Sequence, residues 1–380
     1  MKLLVFCPYY PPHTGGLESH ADEFNKYLSQ KGMDIVVFTP RFPKNVPERE
    51  IKYGKVKIIR FPAFEIITNY PLPKFWSLKF WKLWRMIWKD DFGIVISRTR
   101  FFNTSLLAFI YVKIKRVRWI HIEHGSDFVQ LSSSFKTWVA KFYDNTCGLI
   151  IFKFSDLNIS ISKAVQKFVY KFDKRESPVI YRGLSIEEID RIQPDLETKE
   201  KFKDKTIISF VGRLYKWKGV ENSIMAIKSL PEEVREKIVF LIVGDGEDFN
   251  HLKEISRDEK AIVMLGNLPR EKAISILKIS DIYLHSAHPG GGLSTSLLEA
   301  MYCGCAVIAT PNEGANEVIK SGTNGILIEK PDVQLIVERI RDIVINKENF
   351  KQYGNSAKDY VINNFSWEKA IEQYLIFFES

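Results

Sequence analysis

A chain of 380 residues, 45% hydrophobic and 27% charged, has the make-up of a globular protein with room for two ordinary domains. It holds no run of about 20 apolar residues, which argues against a transmembrane helix. Its four cysteines (Cys7, Cys147, Cys303, Cys305) build neither a disulfide framework nor, at Cys303-Gly-Cys305, a complete zinc site.

The apolar start Met1–Cys7 is too short for a secretory signal and reads as a strand, so a cytoplasmic protein with reduced thiols is expected. The net charge of +9 is unevenly placed: residues 1–180 carry 29 Lys and Arg against 15 Asp and Glu, the remainder 26 against 31. A basic first half suits an anionic partner, whether phosphate, membrane surface or nucleic acid, or else is a plain solvated face. No nucleic-acid-binding motif is recognisable, so nucleic acid is not expected as a partner.

Lys2–Phe6 reads as the first strand, followed by Pro8-Tyr-Tyr-Pro-Pro-His-Thr-Gly15-Gly16 and a helical pattern from Leu17 to about Lys31. Strand, glycine turn and helix start favour an anion, because the first amides of a helix are unpaired and lie at the positive end of its dipole. Three glycines at dinucleotide-fingerprint spacing are absent. Further strands are predicted at Asp34–Phe38, Val56–Phe61, Ile94–Ser97, Trp119–Ile122 and Leu157–Ile161, alternating with helical patterns. That alternation predicts a doubly wound parallel sheet.

Residues 74–89 form an aromatic and basic helical pattern. Lys74, Lys79, Lys82, Arg85 and Lys89 share one arc, interrupted by Leu78, while Trp76, Phe80, Trp81, Leu83, Trp84, Ile87 and Trp88 share the other. Such a helix packs on the sheet with its lysines in water, or lies on an anionic membrane surface; an edge meeting lipid satisfies both readings. Next, Ile120-His121-Ile-Glu123-His124-Gly125 closes a strand at the end where open α/β sheets bind ligands. Alternation puts His121 and Glu123 on one strand face and leaves His124 at the turn, as a candidate or as an ordinary loop histidine.

A polar segment at 178–206 reads as a linker with an entry helix, placing the domain boundary near Tyr181. A second cycle opens with Thr206–Val211, then Gly212-Arg213-Leu-Tyr-Lys216-Trp-Lys218-Gly219 and a helix. Arg and Lys between a strand and a helix start suit a diphosphate, the guanidinium forking onto two oxygens; equally, both belong on an exposed loop. Strands are predicted at Ile238–Val243, Ile262–Leu265, Asp281–Leu284, Ala306–Ala309 and Gly325–Ile328, with helices between them and an aromatic last helix from about Phe365. The densest stretch is His288-Pro-Gly-Gly-Gly-Leu-Ser294-Thr-Ser-Leu-Leu-Glu299-Ala-Met301. Its glycines permit close approach to a ligand, its amides open a helix, and Ser296 with Glu299 has capping-box spacing. Glu299 therefore either completes a cap or looks toward a ligand above the strand.

Taken together, Gly212-Arg213…Lys218-Gly219, Val243-Gly-Asp-Gly246, Gly291-Gly-Leu-Ser-Thr-Ser-Leu-Leu-Glu299-Ala-Met301 and Ala306-Val-Ile-Ala-Thr310 resemble the retaining glycosyltransferases of family four over nearly the whole chain. The resemblance implies the α/β GT-B fold, two facing Rossmann-like domains with a cleft between them. Residues 1–180 would be the acceptor domain, with a C-terminal helix 364–380 packing back on it, and 181–363 the nucleotide-sugar domain. It implies that Arg213 and Lys218 grip the diphosphate and Glu299 the ribose, and that the backbone at Leu268 reads the base. Gly291, Gly292, Leu293, Ser294 and Thr295 would face the phosphate or sugar. Gly15 and Gly16 would close over the diphosphate, and His124 would touch the transferred sugar. His124, Arg213 and Lys218 are thus the catalytic candidates, with neither metal nor other cofactor expected.

One position departs from the family: the glutamate usual eight residues before Glu299 is Gly291 here, which bears on sugar identity and catalytic detail. The expected activity is transfer of a hexose from a nucleotide-diphosphate donor to an acceptor hydroxyl with retention. A lipid-linked or polysaccharide precursor is the expected acceptor, met in the cytoplasm or at the inner face of the cell membrane. A non-catalytic nucleotide-sugar-binding protein and a sugar-nucleotide epimerase are the alternatives.

Overall fold

The apolar runs and the patterns between them become two parallel sheets, each covered by helices. The computed structural model describes residues 1–13, 15–67, 70–128, 134–288, 293–330 and 332–379, and the chain divides into two compact units, Met1–Arg182 with Trp367–Ser380, and Gly183–Ser366.

In the first unit the strands are β1 (Lys2–Phe6), β2 (Asp34–Pro40), β3 (Arg49–Lys52), β4 (Val56–Phe61), β5 (Ala63–Ile67), β6 (Tyr70–Pro73), β7 (Ile94–Arg98), β8 (Arg118–Glu123) and β9 (Leu157–Ser160). Seven form one sheet in the order β3-β4-β2-β1-β7-β8-β9, parallel except for the antiparallel edge β3, while β5 and β6 make a separate hairpin. The chain winds outward from β1 on one side and then from β7 on the other. The carboxyl ends of these two neighbours therefore form a topological switch point, where open α/β sheets hold ligands.

Helices Gly16–Gln30 and Trp367–Glu379 cover one face, with Phe24, Tyr27 and Leu28 packed among Trp367, Ile371, Tyr374 and Phe378. On the other face, helix Leu78–Lys89 buries Phe80, Leu83, Trp84 and Ile87 against helix Asn103–Lys115 and the sheet. This corrects the helical wheel drawn over 74–89. Lys74–Ser77 is a turn, closed by the Ser77 amide on the Lys74 carbonyl at 2.9 Å, and Trp76 and Trp81 stand 70% and 48% exposed instead of joining the apolar face.

The second unit contains β10 (Thr206–Val211), β11 (Ile238–Val243), β12 (Ile262–Gly266), β13 (Ile282–His285), β14 (Ala306–Ala309) and β15 (Ile326–Leu327). All run parallel in the order β12-β11-β10-β13-β14-β15, so its switch point lies between β10 and β13. The expected linker carries two short helices, Ile186–Arg191 and Leu196–Lys201, the latter capped by Asp195. A helix not foreseen from the sequence, Lys347–Asn364, approaches helix Thr295–Tyr302 closely at Gly354. A methyl there would sit 2.0 Å from the Gly304 carbonyl oxygen.

Candidate functional site

At the second unit's switch point two crossover loops are fastened together. Gly219 takes a left-handed backbone (φ 65°), and a β-carbon there would stand 2.0 Å from the Ser286 carbonyl oxygen. Only glycine lets the end of the Gly212–Lys218 loop pass so close to the segment after β13. The Ser286 hydroxyl donates to the Gly219 carbonyl (2.7 Å), and the His288 amide donates to the Trp217 carbonyl (2.8 Å). Arg213 and Lys218 ride on this fastened loop.

Arg213 is exposed, with its Nη1 3.4 Å from the Tyr215 hydroxyl and its guanidinium 5.7 Å from the Tyr215 ring centroid. Lys218 is half-buried, its ammonium 4.4 Å from the Trp217 ring centroid. Burial, and then the Arg213 charge, bring its pKa down to about 8. Neither cation makes an ion pair with a carboxylate among the described residues. Two neighbouring cations without a counter-charge form a site suited to an anion.

Helix Thr295–Tyr302 begins beside them with Ser294 at its N-cap position and no side-chain cap. The expected capping box is not formed. The Ser296 hydroxyl bonds Tyr283 Oη at 2.9 Å, and Tyr283 donates to the Val211 carbonyl at 3.1 Å, so Ser296 joins the helix start to the end of β10. Thr295 is the first helical residue and Leu293 lies just before the cap; Gly291 and Gly292 fall outside the described residues.

Glu299 turns to an arginine. It is 6% exposed, and its Oε1 accepts from Arg270 Nε (3.0 Å) and Nη2 (2.9 Å), while Arg270 Nη1 also lies 3.5 Å from Glu188. Arg270 opens helix Arg270–Leu277 two residues after Leu268, which is half-buried in the loop after β12. The proposed base-reading loop and the proposed ribose carboxylate are thus joined by an arginine that no sequence motif marks.

In the first unit Gly15 and Gly16 start helix Gly16–Gln30. The Glu18 carboxylate folds back over Gly15, where a β-carbon would lie 2.3 Å from Glu18 Oε2, and is bonded to His13 Nδ1 at 2.6 Å. The helix start expected to receive a diphosphate therefore already has a carboxylate against it. One turn further on, the His20 ring stands edge-on to His124 at 4.8 Å between centroids, and Arg98 Nη1 donates to His20 Nδ1 at 2.8 Å. Burial and then Arg98 lower the His124 pKa to about 3, so its imidazole is neutral, with no hydrogen-bond partner for Nε2 among the described residues. Gly15, Gly16 and His124 are thus neighbours through His20, while the start of helix Thr295–Tyr302 meets the end of β10, two residues before Arg213, through Ser296 and Tyr283. Among the described residues no group of His, Cys, Asp or Glu could hold a metal ion, and no helix is long and apolar enough to cross a membrane.

Residues 192–360 match the family Glycosyl transferases group 1, and residues 14–188 match Glycosyltransferase Family 4. Over 100% of its length the chain is 48% identical to an uncharacterised glycosyltransferase of Methanocaldococcus jannaschii, covering 98% of that protein. The chain belongs to glycosyltransferase family four. This glycosyltransferase is also similar, at 25% identity over 96% of its length and 80% of the other's, to the GPI3 subunit of phosphatidylinositol N-acetylglucosaminyltransferase from Saccharomyces cerevisiae. Among solved structures it resembles Anabaena HepE in complex with UDP, with a TM-score of 0.75 at 17% identity and 100% coverage of both chains; the fold is GT-B.

Proposed function

We propose that this glycosyltransferase moves a hexose from a nucleoside-diphosphate donor to an acceptor hydroxyl with retention of configuration. The observation that carries the reading is the pair of cations on one fastened loop, Arg213 and half-buried Lys218, beside a helix start without a side-chain cap. Negative charge grows on the departing diphosphate, and donors already aimed there favour the transition state over the ground state. Arg213, Lys218 and the amides at Leu293–Thr295 supply that stabilisation without a metal. Glu299, released from or shared with Arg270, takes the ribose hydroxyls, and the backbone at Leu268 takes the base. In this reading Gly15 and Gly16, with the Glu18 carboxylate turned away, are assigned to the diphosphate and His124 to the sugar.

A thermal-shift panel of nucleoside diphosphates and their glucose and N-acetylglucosamine conjugates tests the donor. One base family should raise the melting temperature at ligand concentrations about a hundredfold above its dissociation constant. No shift with any member would remove the reading.

The acceptor in this proposal is a lipid-linked or polysaccharide precursor, met at the inner face of the cell membrane. Support comes from the start of helix Leu78–Lys89, where Trp76, Leu78 and Trp81 are exposed beside Lys74, Lys79 and Lys82. Exposed indoles among lysines suit an anionic lipid surface. Flotation with phosphatidylglycerol vesicles, but not with phosphatidylcholine vesicles, is the expected result. Equal indifference to both would remove the membrane half of the proposal.

A further inference from the structure

We propose that Glu123 is the positioning residue of the His124–Gly125 turn and acts on the transferred sugar only through His124. The inference rests on the reading above that His124 meets the sugar. Glu123 is the last residue of β8 and is wholly buried, as is His121 two residues before it. Five donors converge on its carboxylate. Oε1 accepts from the His124 amide (2.9 Å), the Gly125 amide (2.6 Å) and Arg100 Nη1 (3.1 Å); Oε2 accepts from the Arg100 amide (3.0 Å) and lies 3.2 Å from His121 Nε2. One oxygen therefore fixes two consecutive amides of the turn that presents His124.

Arg100 is itself immobilised. Its Nη2 donates to Asp144 at 3.0 Å and to the Asp127 carbonyl at 2.9 Å, and its guanidinium lies 4.1 Å from the Phe168 ring centroid. Gly125 completes the arrangement, since a β-carbon there would stand 2.7 Å from Arg100 Nη1 and 3.1 Å from Glu123 Oε1. The glycine after His124 is thus required by the ion pair beneath it. Burial raises the Glu123 carboxyl pKa, but Arg100 and the bond from His121 outweigh it and hold the group at about 2, ionised throughout the working range. A carboxylate with this many donors cannot leave the turn without abandoning a buried charge, so the turn is stiff.

A plain core ion pair would share the burial but would not govern the His124 turn. The full-length protein and its Glu123→Gln, His124→Ala and double variants separate the two by amide hydrogen exchange and by calorimetric titration with UDP and UDP-glucose. In Glu123→Gln the His124 and Gly125 amides should exchange about tenfold faster while those of Trp119–Ile122 keep their protection. UDP affinity should stay unchanged. The preference for UDP-glucose over UDP should fall about tenfold, as in His124→Ala, with no further loss in the double variant.

Unchanged protection at the two amides, or losses that simply add, would overturn the proposal. A His124→Ala protein that keeps the full preference overturns the sugar contact itself, leaving the exchange result to decide whether Glu123 sets the turn. If Glu123→Gln fails to melt cooperatively, Gly125→Ala, which crowds the same carboxylate from the other side, carries both readouts.

Discussion

Replacing Lys218 by methionine should make the ligand-free protein more stable and the liganded one less so. Folding takes the ammonium partly out of water and sets it near Arg213, bringing its pKa from 10.5 to about 8. At ~1.4 kcal/mol per tenfold change in proton affinity, keeping this group charged costs the folded state about 3 kcal/mol at pH 7. The Trp217 ring, 4.4 Å away, accounts for a favourable contact of about 1 kcal/mol that methionine only partly replaces. A net gain of about 2 kcal/mol corresponds to ~5 °C in melting temperature for a domain of this size.

The sign with pH follows from proton counts. Between pH 8 and 10.5 the unfolded chain binds more protons at Lys218 than the folded one, so wild-type stability rises with pH across that window. The gap between variant and wild type is therefore full below pH 8 and closes toward pH 10.5. Differential scanning calorimetry at pH 7, 8.5 and 10, with and without saturating UDP, reads all of this. The variant should melt higher alone and lose most of the UDP-induced shift. A Lys218→Met protein that melts lower than wild type at pH 7 and keeps its shift would refute the reasoning.

Gly219→Ala places a methyl 2.0 Å from the Ser286 carbonyl at a φ of 65°, and should cost about 3 kcal/mol or more, seen in urea unfolding of the second unit. If Glu299 takes the ribose as proposed, Glu299→Ala should weaken UDP binding by about 2–3 kcal/mol while leaving inorganic pyrophosphate, which has no pentose, unaffected. Arg270→Ala should weaken the same step less, since the carboxylate survives but loses the two bonds that aim it; titration calorimetry with both ligands reads the pair. His124, lowered to about 3, stays uncharged in the folded state while its unfolded counterpart takes a proton below pH 6.5. Stability is therefore lost as pH falls from 6.5 toward 3, and His124→Asn should remove its share of that slope in a melting-temperature profile, while buried His20 and His285 keep theirs.

Strands buried on both faces were the most legible elements. Ile238–Val243 and Ala306–Ala309 lie where their unbroken apolar runs put them. What escaped lacks that signal. β3 is Arg-Glu-Ile-Lys on an exposed edge, β6 contains two prolines, and helix Lys347–Asn364 is polar over most of its length with a glycine inside it. Such elements are held by tertiary neighbours, and periodicity does not report neighbours.

The candidate site divides in the same way. Gly219 and the Arg213–Lys218 loop were visible as local spacing. Arg270 reaches Glu299 across 29 residues and Arg100 reaches Glu123 across 23, distances at which one sequence gives no pairing rule. Glu299 also shows that a spacing can be satisfied on paper and unused: Ser296 turns to Tyr283, and the glutamate turns to an arginine.

The last helix, Trp367–Glu379, belongs to the core of the first unit, where Trp367 Nε1 donates to Glu23 and Tyr374 packs edge-on to Phe24. In order of synthesis, the strands of that unit leave the ribosome well before the segment that closes their hydrophobic face. The whole of Gly183–Ser366 is made in between and is complete as an uninterrupted stretch. The second unit can therefore reach its native packing while the first still exposes Phe24 and Leu28. Until residue 379 has emerged, the nascent chain carries a sticky surface that a chaperone or a neighbouring chain can capture.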